Sequence, residues 1–278
     1  MEAKKILPKA IRTLIIGVIA VLFLLPLLWM ISASFKAPLE VFEYPIKWIP
    51  EIFHFENYVQ VWTDEVIPFW RLYGNSLFIV FFSLLGQLMF ASLAAYAFAK
   101  LDFKGKNVVF IGFLAAMMIP TQATIIPRYM LFRTIGLYDN LWAAIIFPTW
   151  FDATAIFMLR QFYLGLPDDL VEAARIDGAS HARIWGQVMF PLTKPAVVSL
   201  AILGFIASWN EYLSPLIFLT DKRLYTVALG IRFYFADEAQ EYNITMAAAA
   251  SAVIPILILF LVCQKYFIEG IATSGMKE

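Results

Sequence analysis

The chain has 278 residues, of which 62% are hydrophobic and only 15% charged, with 21 basic residues against 21 acidic ones. A soluble domain is nearer ~45–50% apolar and ~25% charged, so part of this apolar surface must face lipid. That excludes a disordered chain, a disulfide-rich module and an ordinary soluble enzyme. Zero net charge gives no footing for nucleic acid, and one cysteine (Cys263) with two distant histidines (His54, His181) offers no metal-ligand spacing.

A membrane-crossing helix needs about 20 mostly apolar residues. Six windows meet that length, at about residues 11–34, 76–99, 108–130, 141–159, 197–219 and 245–267. The first follows Lys4, Lys5, Lys9 and Arg12; its apolar run is longer than a secretory signal's and no small-residue cleavage site follows, so an uncleaved signal-anchor is expected. Pro26, Pro120, Pro148, Pro215 and Pro255 fall in or near these windows, where neighbouring helices can satisfy the freed backbone groups. The 21 Lys and Arg divide thirteen to eight between the two sides, with Arg128 and Arg133 counted in a short loop of the poorer side. The richer side holds the N-terminal tail, the Lys100–Lys106 turn, the loop at about 160–195 and the C-terminal end, and is expected to be cytoplasmic. Residues 35–75, with Phe42, Glu43, Tyr44, Trp48, Trp62 and Trp70, then form an external cap. The expected architecture is a single all-α membrane domain spanning residues 1–278.

Most connections are short, and the one between the fourth and fifth windows, at about 35 residues, is the exception; long ordered loops are usually functional. Pro167 restricts the chain, Asp168 is a candidate N-cap, and Asp169 and Glu172 place negative charge in a first helical turn. The stretch Leu170–Asp177 forms helix readily, Gly178 supplies a left-handed stop, and a second short helix is expected over Ala179–Val188. Ala173 and Ala174 beside Glu172 permit close approach to a partner. The first helix is too short to be stable alone. Its chemistry suits a plug for a groove on another protein, and equally an amphipathic helix lying on the inner membrane face.

The run Glu172-Ala173-Ala174, three residues, Gly178, nine residues, then Val188-Met189-Phe190-Pro191 resembles the EAA loop of ABC-importer permeases. The family's pattern closes on Ile-x-Leu-Pro; Val188 and Phe190 keep both positions apolar. Asn75-Ser76, Ala95-Tyr96-Ala97-Phe98, Ile119-Pro120 and the ending Gly270–Lys277 are similar to the carbohydrate-uptake branch, and within it to the smaller, G-type permease subunit of maltose importers. The resemblance covers nearly the whole chain. It implies a type I ABC-importer permease fold of six membrane helices in a bacterial or archaeal plasma membrane, with both termini cytoplasmic. It implies that Glu172, Ala173, Ala174, Asp177, Gly178 and Pro191 form the loop that couples to an ATPase. The implied partners are a second, related permease, two copies of a cytoplasmic ATPase and an extracytoplasmic solute-binding protein, and the implied cargo is a di- or oligosaccharide. The chain has no G-x-x-x-x-G-K-[ST] phosphate loop, so ATP belongs to the partner ATPase and no cofactor is expected here. A glycerol phosphate or polyol importer is the alternative within the class, and a stand-alone secondary transporter the alternative outside it. A membrane enzyme would need a catalytic constellation that is not in the sequence.

Ionisable groups in spans are unfavourable by roughly 2.5–3.5 kcal/mol at mid-bilayer on insertion scales and are functional candidates by default. Asp152 lies in the fourth window; Glu211 lies in the fifth, beside Asn210 and Tyr212. This set is expected on the translocation path, where carboxylates and amides bond sugar hydroxyls, or at a subunit interface. Pro215, four residues on, is expected to free the Glu211 carbonyl within a continuous helix. Gln87, Thr121, Gln122 and Thr124 read as helix–helix contacts, Trp29, Trp142 and Trp185 as interface anchors or packing, and His181 as solvated or part of the docking face.

Overall fold

In the structure, a computed structural model, the backbone is described for residues 3–235 and 241–275, and side-chain surroundings for 11–146, 148–235 and 241–265. Lys4, Lys5, Lys9 and the ending Gly270–Lys277, invoked above, lie outside the described side chains. Every regular element among the described residues is helical. Numbering α-helices of six or more residues, they are α1 (Ala3–Ser34), α2 (Glu56–Thr63), α3 (Phe69–Lys100), α4 (Lys106–Met117), α5 (Ile125–Thr134), α6 (Ala153–Leu164), α7 (Asp169–Ile176), α8 (Lys194–Trp209), α9 (Leu213–Phe218), α10 (Val227–Phe235) and α11 (Tyr242–Gly275).

Four segments are long and apolar enough to cross a membrane: Ile11–Ser34, Phe69–Lys100, Leu141–Leu164 and Tyr242–Lys265. Two bent pairs raise the number to as many as six. The pair Lys106–Met117 and Thr121–Thr134 turns through 98°, and the pair His181–Leu192 and Lys194–Trp209 through 78°. The third window is therefore not one straight helix: Pro120, with no N–H to donate, stands at the break. The fifth window differs too. α8 stops at Trp209, and Asn210–Tyr212 separate it from α9. Glu211 is thus outside both helices, and the expectation that Pro215 frees its carbonyl within a continuous helix does not hold.

The described residues fall into two compact units, drawn from residues 1–70 with 230–254 and from 71–229 with 255–278. In the first, the segment after α1 folds on buried polar groups. Asn57 Nδ2 donates to the carbonyls of Ser34 (2.9 Å) and Lys36 (3.0 Å), and its Oδ1 accepts from Asn243 Nδ2 at 3.0 Å. The buried Lys36 ammonium donates to the Lys47 carbonyl at 2.6 Å. The Phe35 ring packs against Phe53, Phe55 and Tyr58. Residues 11–24 of α1 expose apolar side chains almost throughout, as a lipid-facing helix must.

In the second unit, Ala91, Ala95, Tyr96 and Phe98 of α3 share one apolar core with Ile156, Leu159 and Tyr163 of α6 and with Val171, Ile184, Met189 and Leu200. The loop after α6 is thereby packed onto the membrane helices rather than hanging free. Two glycines permit close approach. A Cβ on Gly86 would fall inside the Trp150 indole, and one on Gly204 would sit 2.6 Å from Gln87 Oε1. Trp185, half-buried, donates its indole N–H to Ser92 Oγ at 2.8 Å. Trp142 packs on Phe78 and Phe82.

Candidate functional site: a capped loop helix and a polar cluster at helix breaks

The loop helix α7 is closed at both ends by groups that sequence chemistry supplies. Asp168 stands at its N-cap position, but its carboxylate caps no helix N–H. It accepts instead from the Lys100 ammonium at 2.5 Å, and the same ammonium donates to the Leu166 carbonyl at 2.7 Å. The Lys100 side chain is only 3% exposed while that of Asp168 is 80% exposed. At the other end Gly178 has φ +80°. Its N–H donates to the Arg175 carbonyl and the Ala179 N–H to the Ala174 carbonyl, both at 3.0 Å. That pair of bonds is a Schellman closure, which needs a left-handed residue at the Gly178 position.

Between these ends the helix is two-faced. Val171 is buried and Ala174 half-buried against the core. Asp169, Glu172, Ala173 and Ile176, spaced i, i+3, i+4 and i+7, are exposed on the opposite side. Ile176 is 87% exposed, an apolar side chain set among acids. Asp177 is the exposed C-cap residue. The chain then restarts at Ser180, whose Oγ accepts the Arg183 N–H, and the second helix expected follows from His181, with a wide π-helical stretch over Ile184–Met189. Pro191 is exposed in the short turn Phe190–Leu192, at the 78° bend before α8. His181 is exposed, with Nδ1 3.4 Å from the Tyr96 hydroxyl.

Asp152 and Glu211, the two acids that the sequence places in apolar windows, also sit at helix starts. Asp152 is the N-cap of α6: Oδ1 accepts from the Thr154 N–H at 2.9 Å and Oδ2 from Gln87 Nε2 at 2.7 Å. Glu211 Oε1 accepts from the Ser214 N–H at 2.7 Å, in the first turn of α9. A carboxylate at a helix N-terminus satisfies an orphan N–H and meets the positive end of the dipole, which stabilises a charge that lipid would not. Asp152 lines a cavity of about 370 Å³ with Thr121, Thr124 and Arg128, and Glu211 lines one of about 190 Å³ with Ser208 and Ser214. Thr121 and Pro148 line both. Asn210 is exposed and bonds back to the Ile206 carbonyl at 2.8 Å, and Tyr212 is half-buried at the start of α9; neither lines these cavities. Sequence reasoning assigned Arg128 only to the charge count of an outer loop and so missed it. Its place inside the 108–130 window, where an ionisable group is a functional candidate by default, was the available signal.

One further clamp lies outside the spans. Asp139, in the left-handed region at φ 55°, accepts the N–H groups of Thr220 (2.7 Å) and Asp221 (3.0 Å). Burial acts to raise its pKa, but these N–H donors outweigh it and hold the carboxyl below its ordinary value.

Residues 87–272 match the family described as the inner membrane component of binding-protein-dependent transport systems. The chain belongs to that family. The permease is 34% identical over 261 residues to the arabinooligosaccharides transport system permease protein AraQ of Halalkalibacterium halodurans, covering 93% of each chain. It is 33% identical to AraQ of Bacillus subtilis, over 95% of this chain and 94% of the relative. It is 35% identical to the sn-glycerol-3-phosphate transport system permease protein UgpE of Escherichia coli O157:H7, over 94% of each. Its fold is shared with a chain of a bacterial ABC transporter involved in the import of the acidic polysaccharide alginate (TM-score 0.81, 24% identity, 92% of this chain and 95% of that one). The permease is thus a multi-pass membrane component of an ABC importer with a type I permease fold, a transport subunit and not an enzyme.

Proposed function

We propose that this permease is one half of a heterodimeric translocation path for a neutral di- or oligosaccharide, and that α7 couples it to a cytoplasmic ATPase. Residues 1–278 act as one permease domain, paired with a second, related permease. Two ATPase subunits dock below, and an extracytoplasmic binding protein delivers the sugar above. Both termini and the α7 loop are cytoplasmic, and residues 35–75 are external. The observation that carries the reading is the outward face of α7, with Glu172, Ala173 and the exposed Ile176, held by Gly178 at one end and Asp168–Lys100 at the other. The alanine allows close approach, the isoleucine gives an apolar anchor, and the carboxylate offers a partner for an arginine on the ATPase. Ala174, Asp177 and Pro191 set the orientation of that face. ATP is bound and hydrolysed by the partner, and this chain holds no cofactor.

The relatives named for arabinooligosaccharides support a sugar cargo, and Asp152, Glu211, Asn210 and Tyr212 are the residues of this half placed on or beside the path. The similarity to a glycerol-3-phosphate permease keeps that solute as the second reading. The test is Glu172→Lys in the reconstituted importer. Uptake of an arabinooligosaccharide should be abolished while the permease pair still assembles in the membrane. Wild-type uptake and ATPase attachment in this variant would remove α7 from the coupling role.

A further inference from the structure

The cavity of about 370 Å³ at the break between α4 and α5 contains a cation that the fold leaves unsatisfied. Arg128 Nε and Nη2 are both buried and have no hydrogen-bond partner among the described residues. The guanidinium carbon lies 5.8 Å from the centroid of the fully buried Phe218 ring, within cation–π range. No carboxylate among the described residues lies within ion-pair distance of Arg128. A buried charged donor without a partner is strongly unfavourable and needs an explanation. Nε and Nη2 form the side-on fork of the guanidinium, two parallel N–H groups that bind two acceptor oxygens at once.

The geometry points to Arg128 as a substrate-contacting residue, whose fork binds a pair of adjacent hydroxyl oxygens of a neutral saccharide as it crosses this half of the path. The charge of the surroundings selects that ligand. The two adjoining cavities hold one cation, Arg128, and two carboxylates, Asp152 and Glu211. An anionic ligand would meet a net negative lining. A hydroxyl donates and accepts, so it matches a lining that has a pure donor in Arg128, pure acceptors in Asp152 and Glu211, and hydroxyls of both kinds in Thr121, Thr124 and Ser208. The volume is in the range of small-ligand sites. Asp152 is fixed by Thr154 and Gln87, so the acceptor side is preorganised while the donor side stays open. The assignment rests on the sugar-import reading and adds to it the residue that grips the cargo.

The test uses the whole importer in proteoliposomes, with arabinotriose and glycerol 3-phosphate as probes. Arg128→Gln should assemble with its partners, while arabinotriose uptake falls about ten- to a hundredfold, as expected for losing a charge-assisted hydrogen bond in a dry site. Arg128→Lys keeps the charge without the fork and should fall in the same direction, which covers the case in which the glutamine variant does not assemble. Unchanged uptake in Arg128→Lys or Arg128→Gln overturns the assignment and leaves the sugar-import reading standing. Dissociation of the permease pair in both variants overturns it in favour of a subunit contact. A wild-type importer that moves glycerol 3-phosphate and not arabinotriose refutes the neutral cargo itself, and the assignment with it.

Discussion

Replacing Gly178 should impair docking of the ATPase through the backbone alone. The residue has φ +80°, and a Cβ built on it would meet nothing within 4 Å. Steric overlap with neighbours therefore contributes nothing, and the whole effect is the left-handed penalty, roughly 1–2 kcal/mol for an ordinary L-residue. That corresponds to about a 5–30-fold loss of the conformation closed by the Arg175 and Ala174 carbonyls. Asparagine tolerates the region and should lose least, alanine more, and β-branched valine most. Gly186, in the same loop with open space around it and no positive φ, is the control, and Gly186→Ala should be close to neutral. The assay is co-purification of the ATPase with tagged permease from membranes, which requires no knowledge of the cargo. The order Gly, Asn, Ala, Val in retained ATPase, at constant amounts of membrane-inserted permease, is the expected result. Equal attachment in Gly178→Val and the parent chain would falsify the claim that a left-handed stop sets the docking face.

Lys100→Met should lower the Tm of the detergent-purified permease by the equivalent of about 1–3 kcal/mol, because it strands the Leu166 carbonyl. Asp168→Asn, at the exposed end of the same ion pair, should matter much less, and the reverse ranking would refute the role given to the buried ammonium. Gly86→Ala must displace the Trp150 indole from its bond to the Phe82 carbonyl and should cost about 1–3 kcal/mol, whereas Gly112→Ala, with nothing within 4 Å, should be silent in the same melt. In a Cys263→Ala background, a membrane-impermeant thiol reagent applied outside should label Glu51→Cys and spare Asp168→Cys; the opposite pattern would invert the assigned topology.

The features legible in the sequence were those set by composition or by local chemistry. Hydropathy over about 20 residues locates α1, α3 and α11, because lipid exposure imposes a uniform apolar run. The stop at Gly178 is legible because a single residue type carries that backbone conformation. The breaks at Met118–Pro120 and Asn210–Tyr212 are not legible in the same way, since a window average passes over a few residues that leave the helix. The Asp152 and Glu211 readings stopped at the charge for a related reason. What stabilises those carboxylates is a helix N-terminus, visible only once the break is known, and for Asp152 also a glutamine 65 residues away in α3. Asp168 was assigned the local capping role its position suggests, but Lys100, 68 residues earlier, competes for it and wins because a buried ammonium cannot be left unpaired. Arg128 escaped because an arginine near a span end is by default counted toward topology.

The bonds at the two ends of α3 have a mechanical consequence. At one end Lys100 is tied to Asp168 and Leu166 beside the loop helix. Near the other, Asn75 Nδ2 donates to the carbonyls of Arg223 and Tyr225, both at 2.9 Å, and Ser76 Oγ accepts the Val227 N–H at 2.8 Å. Between Asn75 and Lys100 runs uninterrupted α-helix, about 38 Å of it at 1.5 Å per residue. A continuous helix bonded near both ends passes on part of a displacement along its length, the rest being taken up by bending. If α7 moves as the proposed coupling requires, α3 is the continuous backbone link from it to the segment around residues 223–227.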